Sequence, residues 1–497
     1  MKLWLRPAWL AGILLFTVSC QRCGRLPRLE PGWSVSGEFY SAASPRVADL
    51  NGDGTGDVVL GHGFDGVYVG TGTKPGFIGF VTATDGRNGK EIWRVDTHHD
   101  VVGSALFTDL TGNGKPDVVM GGRDGTLVAI DGATGRVLWR FIKVNGGREK
   151  GWYNFYSALA IGDRNGDGIT DLLTTNGGDR TLAPFDPRPP GHLLVISGGD
   201  GSILARMQTP DGEETYTSPV IQRRPGQPDR VLFGTGGETR PGAFWAVPLD
   251  ALLQQDATRV RRLTVPGKDK GVIAPPALAD INLDGIEDIV VVTFDGRLLV
   301  LDGEDDTTIW SHQEENAESY GTPAVGFFTE DRVPDVFVSF SIGTFRKGYK
   351  GSRHLLLDGS GGKELFRHKG AGGFFPSPLA ADLNGDGRDD VLFGDNEMYK
   401  SRRLSWLNTS TLEVGLLLES PAGGLATPWL GDLDGDGRLD LLMNTSGRKE
   451  GKLRWNLDLY GVTTPMKKAP AWGAYGGTGY DWRLQKPAGP PAPATAP

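Results

Sequence analysis

Asp49-Leu50-Asn51-Gly52-Asp53-Gly54-Thr55-Gly56-Asp57 runs directly into Val58-Val59-Leu60-Gly61. Oxygen-bearing side chains stand at positions 1, 3, 5 and 9 of this stretch, and Gly54 holds position 6. Alternate side chains of a tight loop face one hollow, so Asp49, Asn51, Asp53 and Asp57 can converge there. The backbone carbonyl of Thr55, at position 7, adds a fifth oxygen. A hard cation such as calcium takes roughly six to eight oxygens at flexible geometry, and glycine permits the sharp turn. One copy alone would be an ordinary Asn/Asp/Gly turn. The pattern recurs six times, which sets that reading aside.

The second copy offers Asp109, Thr111, Asn113, the carbonyl of Lys115, and Asp117; it is the poorest donor set, with Thr and Asn at positions 3 and 5. The third offers Asp163, Asn165, Asp167, the carbonyl of Ile169, and Asp171. Asp280, Asn282, Asp284, the carbonyl of Ile286, and Asp288 form the fourth. The fifth has Asp382, Asn384, Asp386, the carbonyl of Arg388, and Asp390; the sixth has Asp432, Asp434, Asp436, the carbonyl of Arg438, and Asp440. Up to six bound Ca2+ ions are expected. These are not EF-hands, which need a Glu at position 12, where the first loop has Leu60. The residues after each loop read as a strand (Val-Val-Leu-Gly, Val-Val-Met-Gly, Val-Leu-Phe-Gly), not as an exiting helix.

Each loop is preceded by a short apolar stretch. Four residues before the first Asp, or its counterpart, lie Pro45, Ala105, Leu159, Pro219, Pro276, Pro323, Pro378 and Pro428, roughly 50 residues apart. The Pro219 and Pro323 repeats have lost the ligands but keep the next strand, so the unit is architectural first. Most repeats continue with a strand, a Gly-rich hairpin and a strand closed by an aromatic residue. Examples are Asp85-Gly-Arg-Asn-Gly89 leading to Trp93 and Asp131-Gly-Ala-Thr-Gly135 leading to Trp139. The unit is thus four strands, A to D, and the Trp on strand D is read as packing between units. Eight such units predict an all-β, eight-bladed β-propeller of four-stranded blades, with seven blades as the alternative. The last repeat lacks a clear strand D, which a segment within 33–40 or 471–483 could supply.

These Asp-x-Asn-x-Asp-Gly-x-x-Asp loops resemble the FG-GAP/VCBS repeats of integrin α heads and of many secreted bacterial proteins, over about residues 40 to 465. The Asp-Gly-x-Thr-Gly-x-x-x-Trp hairpins resemble those of quinoprotein-type propellers, which implies eight blades rather than the seven of integrins.

The N-terminus opens with Lys2 and Arg6, then an apolar run from Ala8 to Val18, too short to span a bilayer and laid out as a secretory signal. Its end, Val18-Ser19-Cys20, resembles a bacterial lipobox, which implies lipidation of Cys20. The domain reading is a signal peptide over 1–19, a tether over 20–35, the propeller over 36–483 and a disordered Pro/Ala-rich tail over 484–497. This reading implies export across an inner membrane and a lipid anchor in the outer membrane, with the body periplasmic or at the cell surface. Both of the 2 Cys lie in the first 23 residues, so the body holds no disulfide scaffold and no cysteine nucleophile. The formal charge of −9 is explained by the loop carboxylates, and no basic stripe points to nucleic acid.

Function is read as a calcium-binding interaction module for a protein or glycan. The alternatives are an envelope assembly factor, or a propeller enzyme such as a calcium-dependent polysaccharide lyase. A non-enzymatic role is favoured: the body has no cysteine, there is no c-type haem motif, and no base constellation stands out. His98-His99-Asp100 reads as a solvated turn. Strand order sends the A–B loops and C–D hairpins to one side, so the longer B–C and D–A loops share the other. Tyr156, Tyr216, Ile273, Tyr320, Phe375 and Leu425 precede the inner strands there and are expected to ring the channel mouth. Trp152, Tyr153, Tyr216, Tyr320 and Tyr349 are the expected ligand contacts on that face.

Overall fold

Strands begin on the ninth residue of the loop pattern, at Asp57, Asp117, Asp171, Asp288, Asp335 and Asp390. The structure, a computed structural model, describes residues 26–64, 78–265, 267–373, 376–397 and 401–485. The signal and lipobox readings with Cys20, much of the Gly61–Gly76 loop, Phe375 and nearly all of the tail lie outside those residues. Eight antiparallel sheets surround the channel, seven of them four-strand meanders of consecutive strands and the eighth completed by the N-terminal strand; in two of them the inner strand is split into two short pieces. The first blade holds Arg46–Ala48, Asp57–Phe64, Ile78–Thr84 and Glu91–Asp96 as strands A to D. The fold is the eight-bladed propeller, with eight blades rather than seven.

Burial depends on position in the blade. Strand B lies between two neighbouring blades, so Asp117–Gly121 and Asp288–Val292 are buried throughout. Strand D is at the rim, and Glu91–Asp96 alternates exposed and buried residues as a half-solvated strand should.

The ninth-position aspartate ties each blade together. Asp57 accepts from the backbone N–H of Leu50 at 3.0 Å and of Gly86, in the C–D hairpin, at 3.4 Å. Asp117 to Gly132, Asp171 to Gly198 and Asp288 to Gly303 repeat the bond. Asp335 does the same in a repeat without the other ligands, accepting from Phe328, Thr329 and Gly359 at 3.2, 2.9 and 3.0 Å. This explains why the aspartate is kept where the other loop carboxylates are not. In the fourth blade the register-equivalent residue is Arg230, paired with Gln222 across strands A and B, and its guanidinium meets Asp306 of the next blade at 2.6 Å. Asp335→Ala would strand three N–H donors, two of them buried. The expected loss is about 3 kcal/mol, equal in chelator and in calcium. A loss that calcium modulates would show that Asp335 belongs to a metal site.

Strand-D tryptophans link blades, as their spacing implied. The indole N–H of Trp93 donates to the Gly132 carbonyl at 2.7 Å, and Trp139 and Trp310 donate to Gly198 and Gly359. Each ring lies over the left-handed glycine of the next hairpin. A Cβ on Gly135 would stand 2.6 Å from Trp93, so only glycine fits.

The ring is closed by the N-terminal strand. Leu29–Glu38 pairs with Lys452–Pro465 from Leu29↔Val462 to Glu38↔Arg454 and becomes strand D of the eighth blade. Trp33 on it donates to Gly86 of the first blade at 2.6 Å, the same latch as elsewhere. The propeller therefore starts at Leu29, inside the stretch read as a tether over 20–35. Pairing decides this, because the eighth sheet has no other strand among the described residues to cover its outer edge.

Residues 471–483 do something else. They enter the central channel, with Trp472 and Trp482 at 0% and 1% exposure. Trp472 exchanges both backbone hydrogen bonds with Ala380, Leu430 donates to Gly473, and Leu278 donates to Trp482. The inner strands are free sheet edges, and this segment satisfies them. It sits toward the rim of the A–B loops: Arg483 pairs with Glu287 at 2.9 Å and the preceding Lys468 with Asp389 at 2.9 Å, both carboxylates at position 8 of a loop.

Candidate functional site

Two groups of polar residues lie at opposite ends of the channel. At the first, the loop pattern becomes a defined hydrogen-bond scheme. The position-1 carboxylate accepts from the N–H groups of positions 4 and 6: Asp49 from Gly52 and Gly54 at 2.7 and 2.9 Å, Asp432 from Gly435 and Gly437 at 2.8 and 3.1 Å. The position-5 residue accepts from position 7, as Asp53 does from Thr55 and Asp436 from Arg438. These bonds hold position 4 in the left-handed region, Gly52 at φ 81° for example. The fourth loop has Leu283 there, at φ 62° and exposed, a conformation that costs a branched side chain roughly 1–2 kcal/mol.

A carboxylate has about four lone-pair sites, so a backbone bond leaves capacity for a metal. In the sixth loop Asp432, Asp434 and Asp440 each bring one oxygen within 4.8 Å of the others. Burial, with a smaller push from the neighbouring carboxylates Asp434, Asp436 and Asp432, moves Asp440 up to about 6. No ion pair from a Lys or Arg reaches that loop among the described residues. An all-oxygen donor set with uncompensated charge fits a hard cation. The first loop differs: Arg87 holds Asp53 at 2.6 Å, and Lys115 donates to the carbonyl of Asn51 at 2.8 Å.

The second group surrounds the other mouth. The Tyr216 hydroxyl donates to Glu214 at 3.0 Å. The Tyr320 hydroxyl donates to Glu238 at 3.3 Å and lies 3.1 Å from that of Tyr349, which in turn donates to Glu318 at 2.6 Å. Lys270 pairs with Glu318, and Arg188 with Glu214 at 3.0 Å. Burial pushes Glu214 up to about 7, against the pull of Arg188. Burial also raises Glu238, whose side chain carries the Tyr320 bond and, among the described residues, no ion pair.

Three of the five expected contacts, Tyr216, Tyr320 and Tyr349, meet here with partial exposure. Tyr153, also partly exposed, belongs to a neighbouring ion-pair group, with Arg148 over its ring at 5.6 Å and Arg148 on Asp179 at 2.8 Å. Trp152 is a correction: it is 5% exposed and packs edge-on against Phe141 and His192 at 5.6 and 5.5 Å. Its position before an inner strand suited a surface loop, but the Phe141–Asn145 helix turn covers it. The His98-His99-Asp100 turn is likewise not simply solvated. Asp100 is buried 4.0 Å from Arg123, and His99 faces Asp124 at 3.3 Å.

Sequence reading missed Glu214, Glu238, Glu318 and Lys270. A signal existed for two of them: Glu214-Thr-Tyr216 and Glu318-Ser-Tyr320 place a carboxylate two residues before the ring tyrosine in separate repeats.

A family model described as the FAM234A/B beta-propeller matches residues 75–370. The chain belongs to this family. A second model, an FG-GAP-like repeat, matches residues 382–443, which hold the fifth and sixth loops of this FAM234A/B-type propeller. Mouse Protein FAM234B is 22% identical over 367 residues, covering 70% of this chain and 55% of the relative. The human protein is 21% identical over 366 residues, covering 70% and 56%. The chain thus spans about half the length of the curated relatives it matches. Among solved structures, a europium-containing methanol dehydrogenase superposes with a TM-score of 0.59 at 11% identity, covering 87% of this chain and 93% of that one. At that identity the FAM234A/B-type propeller shares its fold with the dehydrogenase, and the likeness carries no activity across.

Proposed function

We propose that this FAM234A/B-type propeller is an extracytoplasmic interaction module, stabilised by calcium in its A–B loops, that binds a protein partner at the channel mouth opposite those loops. The observation that carries the reading is the partly exposed Tyr216/Tyr320/Tyr349–Glu238 group. It stands at the end of the channel opposite the A–B-loop rim, toward which residues 471–483 are seated. Tyrosines held rigid by hydrogen bonds lose little entropy on binding and commonly anchor interfaces. Glu238 offers a carboxylate for a donor on the partner. Binding is favoured over catalysis because Lys270 and Arg188 are already committed to Glu318 and Glu214. Lipid attachment through Cys20 would hold the module at a membrane surface.

The test is recovery of partner from solubilised membranes on the immobilised full chain, with and without calcium. Glu238→Gln and Tyr349→Phe keep shape and should each lower recovery at least about tenfold, the size of an interface hot spot. Unchanged recovery, with loss instead on altering the Gly-rich hairpins at the metal-loop rim, would put the binding face on the other side.

A further inference from the structure

At the seam where the ring closes, the eighth and first blades leave a cavity of about 580 Å3 between Leu29–Glu38 and the outer strands of the first blade. Its lining differs from the other blade contacts. Thr84 pairs with Val58, the register position that Ile130, Ile196, Leu301, Leu357 and Leu407 hold in other blades. Thr82 and Thr84 are 3% and 4% exposed, so two hydroxyls are buried where most blades bury aliphatic carbon; that of Thr82 is taken by His62 Nε2 at 2.8 Å, and that of Thr84 faces the cavity. Such a substitution costs free energy unless a partner takes the hydroxyls.

Trp455 points to the same place. It lines the cavity, is 8% exposed, and its indole N–H has no hydrogen-bond partner among the described residues. A Cβ on Gly37 would stand 2.6 Å from that nitrogen, so the glycine lets the strand pack directly over the indole edge, which is closed to the cavity. The Arg94 guanidinium lies 3.6 Å over the Phe80 ring, which fixes its plane while its N–H edge stays exposed beside Glu91. Glu38 completes the rim and already holds Lys452 at 3.3 Å.

We propose that this seam cavity is a binding site for a neutral saccharide residue, distinct from the channel mouth. Acceptors (Glu91, Glu38), a donor (Arg94) and a hydroxyl that does both (Thr84) surround a space bounded by the apolar flanks of Phe39 and Trp455. Vicinal hydroxyls need that mixture, and the C–H face of a pyranose needs the aromatic flank. Arg94 meets Asp96 at 3.6 Å and Glu38 meets Lys452 at 3.3 Å, so both are already compensated and neither selects an ion.

Saturation-transfer NMR on the full chain tests this, with glucose, galactose, mannose, N-acetylglucosamine and their disaccharides as probes and glucuronate and glucosamine as charged controls. At least one neutral sugar should receive saturation. Its affinity should fall at least about tenfold in Glu91→Gln and Arg94→Ala, both surface changes, and in Thr84→Val. It should be unmoved in Tyr349→Phe, which separates this site from the channel mouth. Saturation of none of the neutral probes, stronger binding of a charged control, or affinity unmoved by the seam variants overturns the proposal.

Discussion

Trp482→Ala lowers unfolding free energy by about 3–5 kcal/mol, and cutting the chain after Pro465 removes cooperative unfolding altogether. The indole is 1% exposed, stands edge-on to Tyr475 at 4.9 Å, and belongs to the largest apolar cluster of the protein. Its removal leaves a cavity that the rigid blades around it cannot collapse to fill. Truncation does more. It uncovers the backbone of inner strands at Leu278, Ala380 and Leu430, and leaves the buried Arg46 without Tyr475 and Tyr480. The Arg46 guanidinium donates to the carbonyls of Ala105 and Tyr475 at 2.8 and 2.9 Å, and burial lowers it to about 10. A buried charge stripped of half its partners is among the costlier defects a core can carry. Guanidinium denaturation of the full chain, Trp482→Ala and the truncated form checks this. A truncated form that unfolds in one transition at the full-length midpoint would mean the plug is dispensable.

The second large effect is thermal. The full chain in millimolar calcium should melt several degrees above the same chain in excess chelator. Each site at tenfold over its dissociation constant adds about 1.4 kcal/mol, and the sixth loop should contribute most clearly. There Asp432, Asp434, Asp436 and Asp440 carry like charges at close range with no side-chain cation among the described residues. Asp432→Asn should remove part of the calcium increment, whereas Asp335→Ala should not. Magnesium at equal concentration should do less, because it demands a tighter octahedron than this loop presents. Coincident melts in calcium and chelator would rule out stabilisation by the metal and leave the loops as hydrogen-bonded turns.

What the sequence determined by itself is whatever a short span encodes. The nine-residue loop, found six times, and the strand after it, the Gly-rich hairpin and the strand-D Trp are each local, and the eight repeats they mark out are enough for an eight-bladed ring. Even the scheme within a loop is local, since Asp49 bonds Gly52 and Gly54 only a few residues away. Contacts between distant parts of the chain were settled only by the tertiary structure. Leu29–Glu38 carries no repeat signature, yet it closes the eighth blade by pairing with Lys452–Pro465, because an open sheet edge at the end of a ring has one complement within reach. Residues 471–483 looked equally able to supply that strand. They lie in the channel because the inner strands had backbone groups to satisfy there, and the channel buries both Trp472 and Trp482. Trp152 looked like a surface anchor until the turn at Phe141–Asn145 covered it. The Tyr–Glu group at the channel mouth comes from several blades and is joined only when the ring is complete; no single repeat contains enough of it to be read.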